Sequence, residues 1–451
     1  MTKAAFPNNN TGNRSESYLS KINFNYQIIF VCLSYALAAF DFLIYLHIAD
    51  VISSVFFPSS DNALVTQLKI IGLMSVGFLS RPLGAILIGR YGDIKGRKPA
   101  FLISIGLLSA TTLLTAFLPT YAQVGIIAPI LFVFIRMLQG IAFGAHAPLS
   151  WVFVAEHTKQ TKLATYCSLA VAGGIFGSVI SVIFAKVLVG TFELQALLDY
   201  GWRIPAVMGG VMSGLILLMW HHVRETPVYV NHQKKLQDNP DLLTVNSFSN
   251  IASATFLSCA ISFVRASLIM VVMILLPKLI ALKFYTQPNF ATFASLFALV
   301  TQIVGCIFYG ILADKIGTAK TFMLASLALT LQVWIFYAYL INGEGVFTLA
   351  MYGLVGFCTG MIGLCTAIFV QLFPTNIRLL SVSVTYNCIS ALLGAALPFL
   401  LFKLTDYVSF APAIYLSIIG ITALIIGWHL VHRETFGELY KSNTKEKRYT
   451  L

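Results

Sequence analysis

Long apolar stretches separated by short polar ones run along almost the whole chain. Stretches over 27–49, 68–89, 100–118, 124–153, 164–188 and 203–222 are followed, after a polar interval, by 252–276, 291–312, 320–341, 346–372, 379–402 and 409–431. A helix needs about 20 apolar residues, rising about 1.5 Å each, to cross the hydrocarbon core of a bilayer. The pattern therefore predicts an all-α, polytopic membrane protein with twelve transmembrane helices. The longest polar interruption, Arg224 to Asn250, carries Lys234, Lys235, Asp238 and Pro240 and divides the spans six and six. The expected organisation is a tail over 1–26, a six-helix bundle over 27–222, a linker over 223–250, a second bundle over 251–432 and a tail over 433–451.

Composition agrees. Of 451 residues, 58% are apolar and 10% are charged, and the mean hydropathy is +0.84. A soluble chain would carry about 25% charged residues, so the surface of this one must face lipid. The net charge of +12 could suggest nucleic acid, but Lys and Arg sit in short loops between apolar spans and form no basic stripe with interleaved aromatics. Arg90, Lys95, Arg97 and Lys98 share one loop and Lys441 to Arg448 lie in the tail, whereas Lys278, Lys283 and Lys403 fall near the opposite face. This bias predicts both termini in the cytoplasm. Cys32, Cys167, Cys259, Cys306, Cys358, Cys365 and Cys388 all lie inside apolar spans, where they read as small buried hydrophobes without disulfide or metal-ligand spacing. Residues 1–25 lack a small-residue cleavage site and read as a tail, not a signal peptide. Neither a metal nor a cofactor is expected.

The two halves repeat. Gly89-x-x-x-Asp93-x-x-Gly96 after the second span recurs as Gly310-x-x-x-Asp314-x-x-Gly317 after the eighth. Solvation explains one charged loop; it does not explain the same spacing at the same place in each half, which parallel structural repeats do.

The first of these loops reads Gly77-Phe78-x-x-Arg81-Pro82-x-Gly84, then Gly89-x-x-Gly92-Asp93-x-x-Gly96-Arg97-Lys98. It resembles the signature of the major facilitator superfamily, in the form typical of its metabolite:proton symporter family. Further matches are Asp41-Phe42-x-x-Tyr45, Arg136-x-x-Gln139-Gly140-x-x-x-Gly144, Gly201-Trp202-Arg203-Ile204-Pro205, Arg224-Glu225-Thr226-Pro227-Val228, Phe373-Pro374-Thr375-x-x-Arg378 and Tyr386-Asn387. The resemblance implies the major facilitator fold, with a substrate cavity between two bundles lined by helices one, four, seven and ten and often driven by protons. It also implies carboxylate, aromatic-acid or zwitterionic substrates. Three family acids are replaced, by Ala38, His146 and Gln371, so the usual proton relay does not carry over whole. The tail after Arg433 lacks the heptads of the family's osmosensing members.

A charge in mid-membrane costs roughly 2.5–3.5 kcal/mol on insertion scales and normally faces a cavity or a partner. Asp41, Arg81, Arg136 and Arg265 stand out. Arg136, Gln139, Phe143 and His146 fall within an arc of about 80° at about 100° per residue, and Ser258, Ser262 and Arg265, like Ser383, Asn387 and Ser390, make similar seams. Arg136 and Arg265 read as guanidinium forks for carboxylates, one from each bundle, or as structural partners of a helix end or of Asp41. Arg81, Gln139, Tyr45 and Asn387 complete the candidate substrate contacts. Burial favours the neutral acid and a neighbouring guanidinium the anion, so substrate taking that arginine would release Asp41 to accept a proton. His146 is a second proton candidate, since imidazole titrates near neutrality, or a packing residue. Gly173, Gly174 and Gly177 read as close helix packing.

Asp93, Gly96, Arg97 and Lys98 read as a gate rather than a binding site. Asp93 can cap a neighbouring helix N-terminus and Arg97 can pair with Glu156; such contacts form in one state and break in the other. Asp314 serves the second half, with Thr318 and Ala319 where basic residues are expected, and Arg378 joins the gating set. Three membrane arginines against one acid tilt the expected substrate toward a di- or tricarboxylate or a carboxylate-bearing conjugate, taken up with protons by a monomer in the inner membrane of a bacterium. A zwitterion such as proline or betaine, and a facilitative uniporter, are the alternatives within transport. A membrane-embedded transferase lacks a phosphate loop or a His/Asp cluster here, and a non-transporting receptor lacks a signalling module.

Overall fold

The computed structural model describes residues 12–58, 72, 75–220, 223–238, 248–283, 288–342 and 345–435. The basic tail Lys441 to Arg448 and the first part of the second expected span lie outside the described residues. Among them the chain is helical throughout, with no strand. Eleven helices are long and apolar enough to cross a membrane, and the twelfth crossing is the second, of which 75–95 are described. The crossings are α1 (Gly12–His47), α2 (Arg81–Lys95), α3 (Arg97–Ala116), α4 (Ile127–His157), α5 (Leu163–Thr191), α6 (Ile204–Met219), α7 (Phe248–Leu268), α8 (Pro288–Ile316), α9 (Thr318–Ile341), α10 (Val346–Thr359, resuming as Ile362–Leu372), α11 (Arg378–Tyr407) and α12 (Ala411–Thr435). Residues 12–26, expected as a tail, extend α1. Within the linker, Pro227–Asp238 forms a further helix that packs against α4.

The chain is a multi-pass membrane protein of twelve helices in two six-helix bundles. In the first, α1 packs on α4, α5 and α6, and α3 on α4 and α6; in the second, α7 packs on α11 and α12, and α9 on α10 and α12. The outermost helices show why the chain needs lipid. On α6, Val207, Val211, Leu215 and Leu218 form an exposed stripe, and on α12 so do Ile414, Ile418, Ile421, Ile425 and Trp428. Spaced three and four apart, these side chains share one helix face. In water such stripes would favour aggregation; in hydrocarbon they are solvated, and the helix satisfies its own backbone.

The bundles meet along two helix pairs, α2 with α11 and α5 with α8, with α4 and α10 closing the middle. The repeated loops are equivalent in three dimensions. Gly96 and Gly317 both have positive φ, 113° and 104°, a backbone region that disfavours side chains, and each turns the chain directly into the next helix. Each loop aspartate reaches across to the other bundle. Asp93 accepts from the amides of Leu379 and Leu380 at the start of α11, at 3.1 and 2.8 Å. Asp314 accepts from the amides of Ala164 and Thr165 at the start of α5, both at 3.0 Å. Both are anions on unpaired helix N–H groups, and together they tie the bundles crosswise at one end.

Two departures from regular helix fall in the middle of the second bundle. After Leu268, α7 runs through a π-helical turn, Ile269–Leu275, before continuing as Leu276–Lys283. Helix α10 breaks at Gly360–Met361, where a Cβ on Gly360 would lie 2.5 Å from the Cys306 amide nitrogen. π-turns and broken helices free backbone groups, and they recur beside functional sites.

Candidate functional site

A cavity lies between the bundles. It starts in mid-membrane and runs toward the ends of α1, α5 and α7 remote from the charged loops, past His47, Val182 and Met273. Helices α1, α2, α4, α5, α7, α8, α10 and α11 all contribute to its wall.

Two arginines stand at its floor, one from each bundle. Arg81 and Arg265 both line the cavity and are 4% and 1% exposed. Arg81 lies in a box of aromatic rings, its guanidinium carbon 4.6 Å from the Phe42 centroid, 4.6 Å from Phe78 and 4.4 Å from Phe143. Arg265 lies 4.5 Å from the ring of Trp151 and 5.6 Å from that of Tyr386, and donates to the carbonyl of Ile362 beside the break in α10. Tyr386 lines the same cavity as both guanidiniums. Among the described residues neither arginine has a carboxylate partner, and each keeps its Nε–H without an acceptor. No Asp or Glu appears among the described lining residues. Buried guanidiniums held by rings and carbonyls are charge without counter-charge, a receptor for an anion of carboxylate geometry.

Local sequence explains how α2 and α4 hold Arg81 there. Gly144 lets the helices approach so closely that a Cβ at that position would lie 2.8 Å from the Cα of Arg81. Four residues on, Pro148 lies inside α4 and has no N–H to offer the Gly144 carbonyl. Asn387 supplies the missing donor, its Nδ2 reaching that carbonyl at 2.6 Å from the other bundle and also the Ser383 carbonyl at 2.8 Å. Among the described residues its Oδ1 and the hydroxyls of Ser383 and Ser262 have no hydrogen-bond partner.

Asp41, Arg136 and Gln139 form a separate group inside the first bundle. Asp41 is buried and accepts from Thr112 of α3 at 3.4 Å and Ser213 of α6 at 3.2 Å. Gln139 donates to Thr112 at 3.3 Å and accepts from Arg136 at 2.8 Å. The chain Asp41–Thr112–Gln139–Arg136 thus connects acid and base without direct contact. Arg136 also donates to the Phe42 carbonyl at 3.2 Å and lies 5.1 Å from the ring of Tyr45; both line a smaller side pocket with Phe132 and Ile52. His146 faces neither the cavity nor Asp41. Its Nδ1 meets Ser104 at 3.0 Å, its Nε2 meets Ser34 at 3.2 Å, and Phe101 packs edge-on against the imidazole with centroids 4.6 Å apart. Of the α4 seam, then, only Phe143 reaches the main cavity. On the α7 seam, Ser258 bonds Thr385 at 2.7 Å and Arg265 is the member at the cavity. The glycines of α5 serve packing, with Gly173, Gly174 and Gly177 against Cys32, Tyr35 and Ala36 of α1.

The end with the charged loops is shut by a buried ionic cluster. Glu156 accepts from Arg97 at 3.1 Å, Arg378 at 2.9 Å and Thr226 at 2.6 Å. Arg97 also lies 3.2 Å from Asp93 and donates to the Thr375 carbonyl at 2.7 Å. Lys98 takes part through its backbone: the amides of Arg97 and Lys98 donate to Glu225 at 3.1 and 3.0 Å. Sequence reasoning missed Glu225 and Thr226 as members of this cluster. It also missed Trp151, Tyr386 and Phe42 at the cavity, and Thr112 and Ser213 at Asp41. Tyr386 and Phe42 stand in recognised motifs, but Trp151, Thr112 and Ser213 carry no local signal beyond being polar or aromatic in an apolar span.

A model described as the Major Facilitator Superfamily matches residues 28–398. The chain is 30% identical over 430 residues to the glycine betaine/proline/ectoine/pipecolic acid transporter OusA of Dickeya dadantii (strain 3937), covering 91% of this chain and 83% of that one. It is 29% identical over 415 residues to the proline/betaine transporter of Escherichia coli (strain K12), covering 87% and 80%. Among solved structures, that of the proton:xylose symporter XylE bound to 6-bromo-6-deoxy-D-glucose matches with a TM-score of 0.76 at 15% identity, over 91% of this chain and 96% of that one. At that identity the likeness is one of fold.

Proposed function

The chain belongs to the major facilitator superfamily, and we propose that within it this protein is a proton-coupled symporter for a small zwitterionic, carboxylate-bearing solute of the betaine and proline class. The observation that carries this reading is the pair Arg81 and Arg265, one from each bundle, lining with Tyr386 one cavity walled by aromatic rings. A carboxylate bridging the two guanidiniums draws the bundles together. Tyr35, which lines the same cavity, offers a ring to a substituted ammonium. Closing on solute from one side and releasing it on the other is alternating access.

This replaces the expected di- or tricarboxylate. That expectation counted three arginines for the substrate, but Arg136 is engaged by Gln139 and the Phe42 carbonyl and lies outside the main cavity. Two cations remain, enough for one carboxylate, and the relatives named for betaine and proline support the zwitterion.

We assign proton binding to Asp41 and not to His146, whose ring nitrogens both have hydroxyl partners. Glu156, Arg97, Arg378 and Asp93, with Asp314 on the other pair of helices, form the latch of the charged end. That end is cytoplasmic by the placement of positive charge, which puts both termini inside a bacterial cytoplasmic membrane and opens the cavity outward. The working unit is a monomer.

The test is uptake into proteoliposomes with an imposed inward proton gradient, using radiolabelled glycine betaine, L-proline and succinate. Accumulation of betaine or proline, abolished by an uncoupler, is the expected result. Accumulation of succinate alone restores the polycarboxylate reading, and saturable uptake indifferent to the uncoupler makes the protein a uniporter.

A further inference from the structure

Asp41 and Arg136 do not touch, and neither lines the central cavity. A symporter nevertheless requires that the proton site and the solute site sense one another. The residue placed between them is Phe42, next in sequence to Asp41.

Phe42, with Leu43, Leu46 and Phe78, lines both the central cavity and the side pocket of Tyr45, Phe132 and Arg136. Its carbonyl accepts from Arg136 at 3.2 Å. Its ring has the Arg136 guanidinium carbon 5.5 Å and the Arg81 guanidinium carbon 4.6 Å from the centroid. Among the described residues it is the one ring over which both of these guanidiniums lie. The ring has little freedom of its own: it stacks on Phe143 at 4.7 Å, meets Phe78 edge-on at 5.2 Å, and lies where a Cβ on Gly77 would touch it at 3.3 Å.

We propose that Phe42 is the positioning residue that couples the proton site to the solute site, holding Arg136 by its carbonyl and ring and Arg81 by the same ring. This rests on the symport reading given above. The charged or titratable groups facing Asp41 are Arg136 from α4 and Tyr45 from α1, while α3 and α6 contribute the hydroxyls of Thr112 and Ser213. Protonation of Asp41 removes the anion that draws Arg136 through Gln139 and Thr112. The guanidinium then leans more heavily on the Phe42 carbonyl and ring, which it already contacts. Packed between Phe78 and Phe143, the ring moves as a plate and changes how Arg81 is presented to the solute carboxylate. The reverse holds as well, since coupling between two binding sites is reciprocal.

Two rates measured on the full chain in proteoliposomes with radiolabelled glycine betaine test this. One is counterflow at equal pH, which needs the solute site alone; the other is accumulation driven by an inward gradient of one pH unit, which supports about tenfold accumulation per proton. Phe42→Leu is expected to lower driven accumulation at least about fivefold more than it lowers counterflow, and Phe42→Tyr to keep the wild-type ratio. Phe42→Met repeats the test with an unbranched side chain should the leucine variant fold poorly. If leucine and methionine lower both rates in the same proportion, or neither, Phe42 is only part of the wall and the proposal fails. A wild-type protein whose counterflow is normal but whose accumulation ignores the gradient overturns the symport reading itself, and the variants are not needed to see it.

Discussion

Asn387 of α11 gives its amide to the carbonyl of Gly144 in α4, at 2.6 Å across the bundle boundary, and that carbonyl is the one Pro148 leaves without a backbone donor. A defect in one bundle is thus repaired by a side chain of the other, but only while the two lie together at this level. When the bundles separate here, a buried carbonyl loses its partner, and water entering the opened interface must take its place.

The first prediction concerns this pair. Asn387→Leu strands the carbonyl and is expected to cost about 1–3 kcal/mol. Pro148→Ala restores the helix's own N–H, so in the Pro148→Ala background the leucine change should cost less. Thermal unfolding of the four proteins of the cycle in detergent measures the coupling. Strictly additive shifts would show that Asn387 matters for some other reason.

The arginine pair predicts a loss of affinity. Arg81→Lys and Arg265→Lys each keep a charge but lose the planar fork, and a hydrogen bond to a charged group is worth about 1.5–3 kcal/mol. Each variant should therefore bind glycine betaine at least about tenfold more weakly by equilibrium binding to purified protein. Unchanged affinity in both would remove the carboxylate from this site.

At the charged end, Glu156→Gln leaves Arg97 and Arg378 facing a neutral group. Breaking a buried ionic cluster costs about 3–5 kcal/mol; on the proposal that this one forms only when the end is shut, about 3 kcal/mol would shift the open population roughly a hundredfold. Spin labels at Lys95→Cys and Lys315→Cys in a cysteine-free background report this as a longer distance distribution. A distribution identical to the parent would mean the cluster is not a latch.

Asp41→Asn fixes the proton site in its neutral form. Accumulation driven by a proton gradient should disappear, whereas exchange of internal for external solute should persist. Loss of both in a well-folded protein would place Asp41 in the architecture of α1, α3 and α6 rather than in coupling.

How far the sequence carried the picture depends on the length scale of each property. The spans and their number follow from a local quantity: an apolar run either reaches across hydrocarbon or does not. The equivalence of Asp93 and Asp314 was legible because a repeat writes the same turn twice, down to Gly96 and Gly317. The signatures around Asp41, Arg81, Arg136 and Arg378 were legible as motifs.

What only the tertiary structure decided was the direction each helix faces. Gln139, Phe143 and His146 share one arc of α4, yet Gln139 reaches Thr112, Phe143 packs on Arg81 and His146 lies between Ser34 and Ser104. Arg136 and Arg81 looked alike as membrane charges, but one is held inside a bundle and the other stands at the cavity floor. A helix's rotation and crossing are set by the side chains it meets, and here those lie on helices up to hundreds of residues away, as Trp151 does from Arg265 and Gly144 from Asn387. In an apolar span almost every face is compatible with either lipid or protein, so the pattern of one helix cannot by itself say which polar side chain will see the solute.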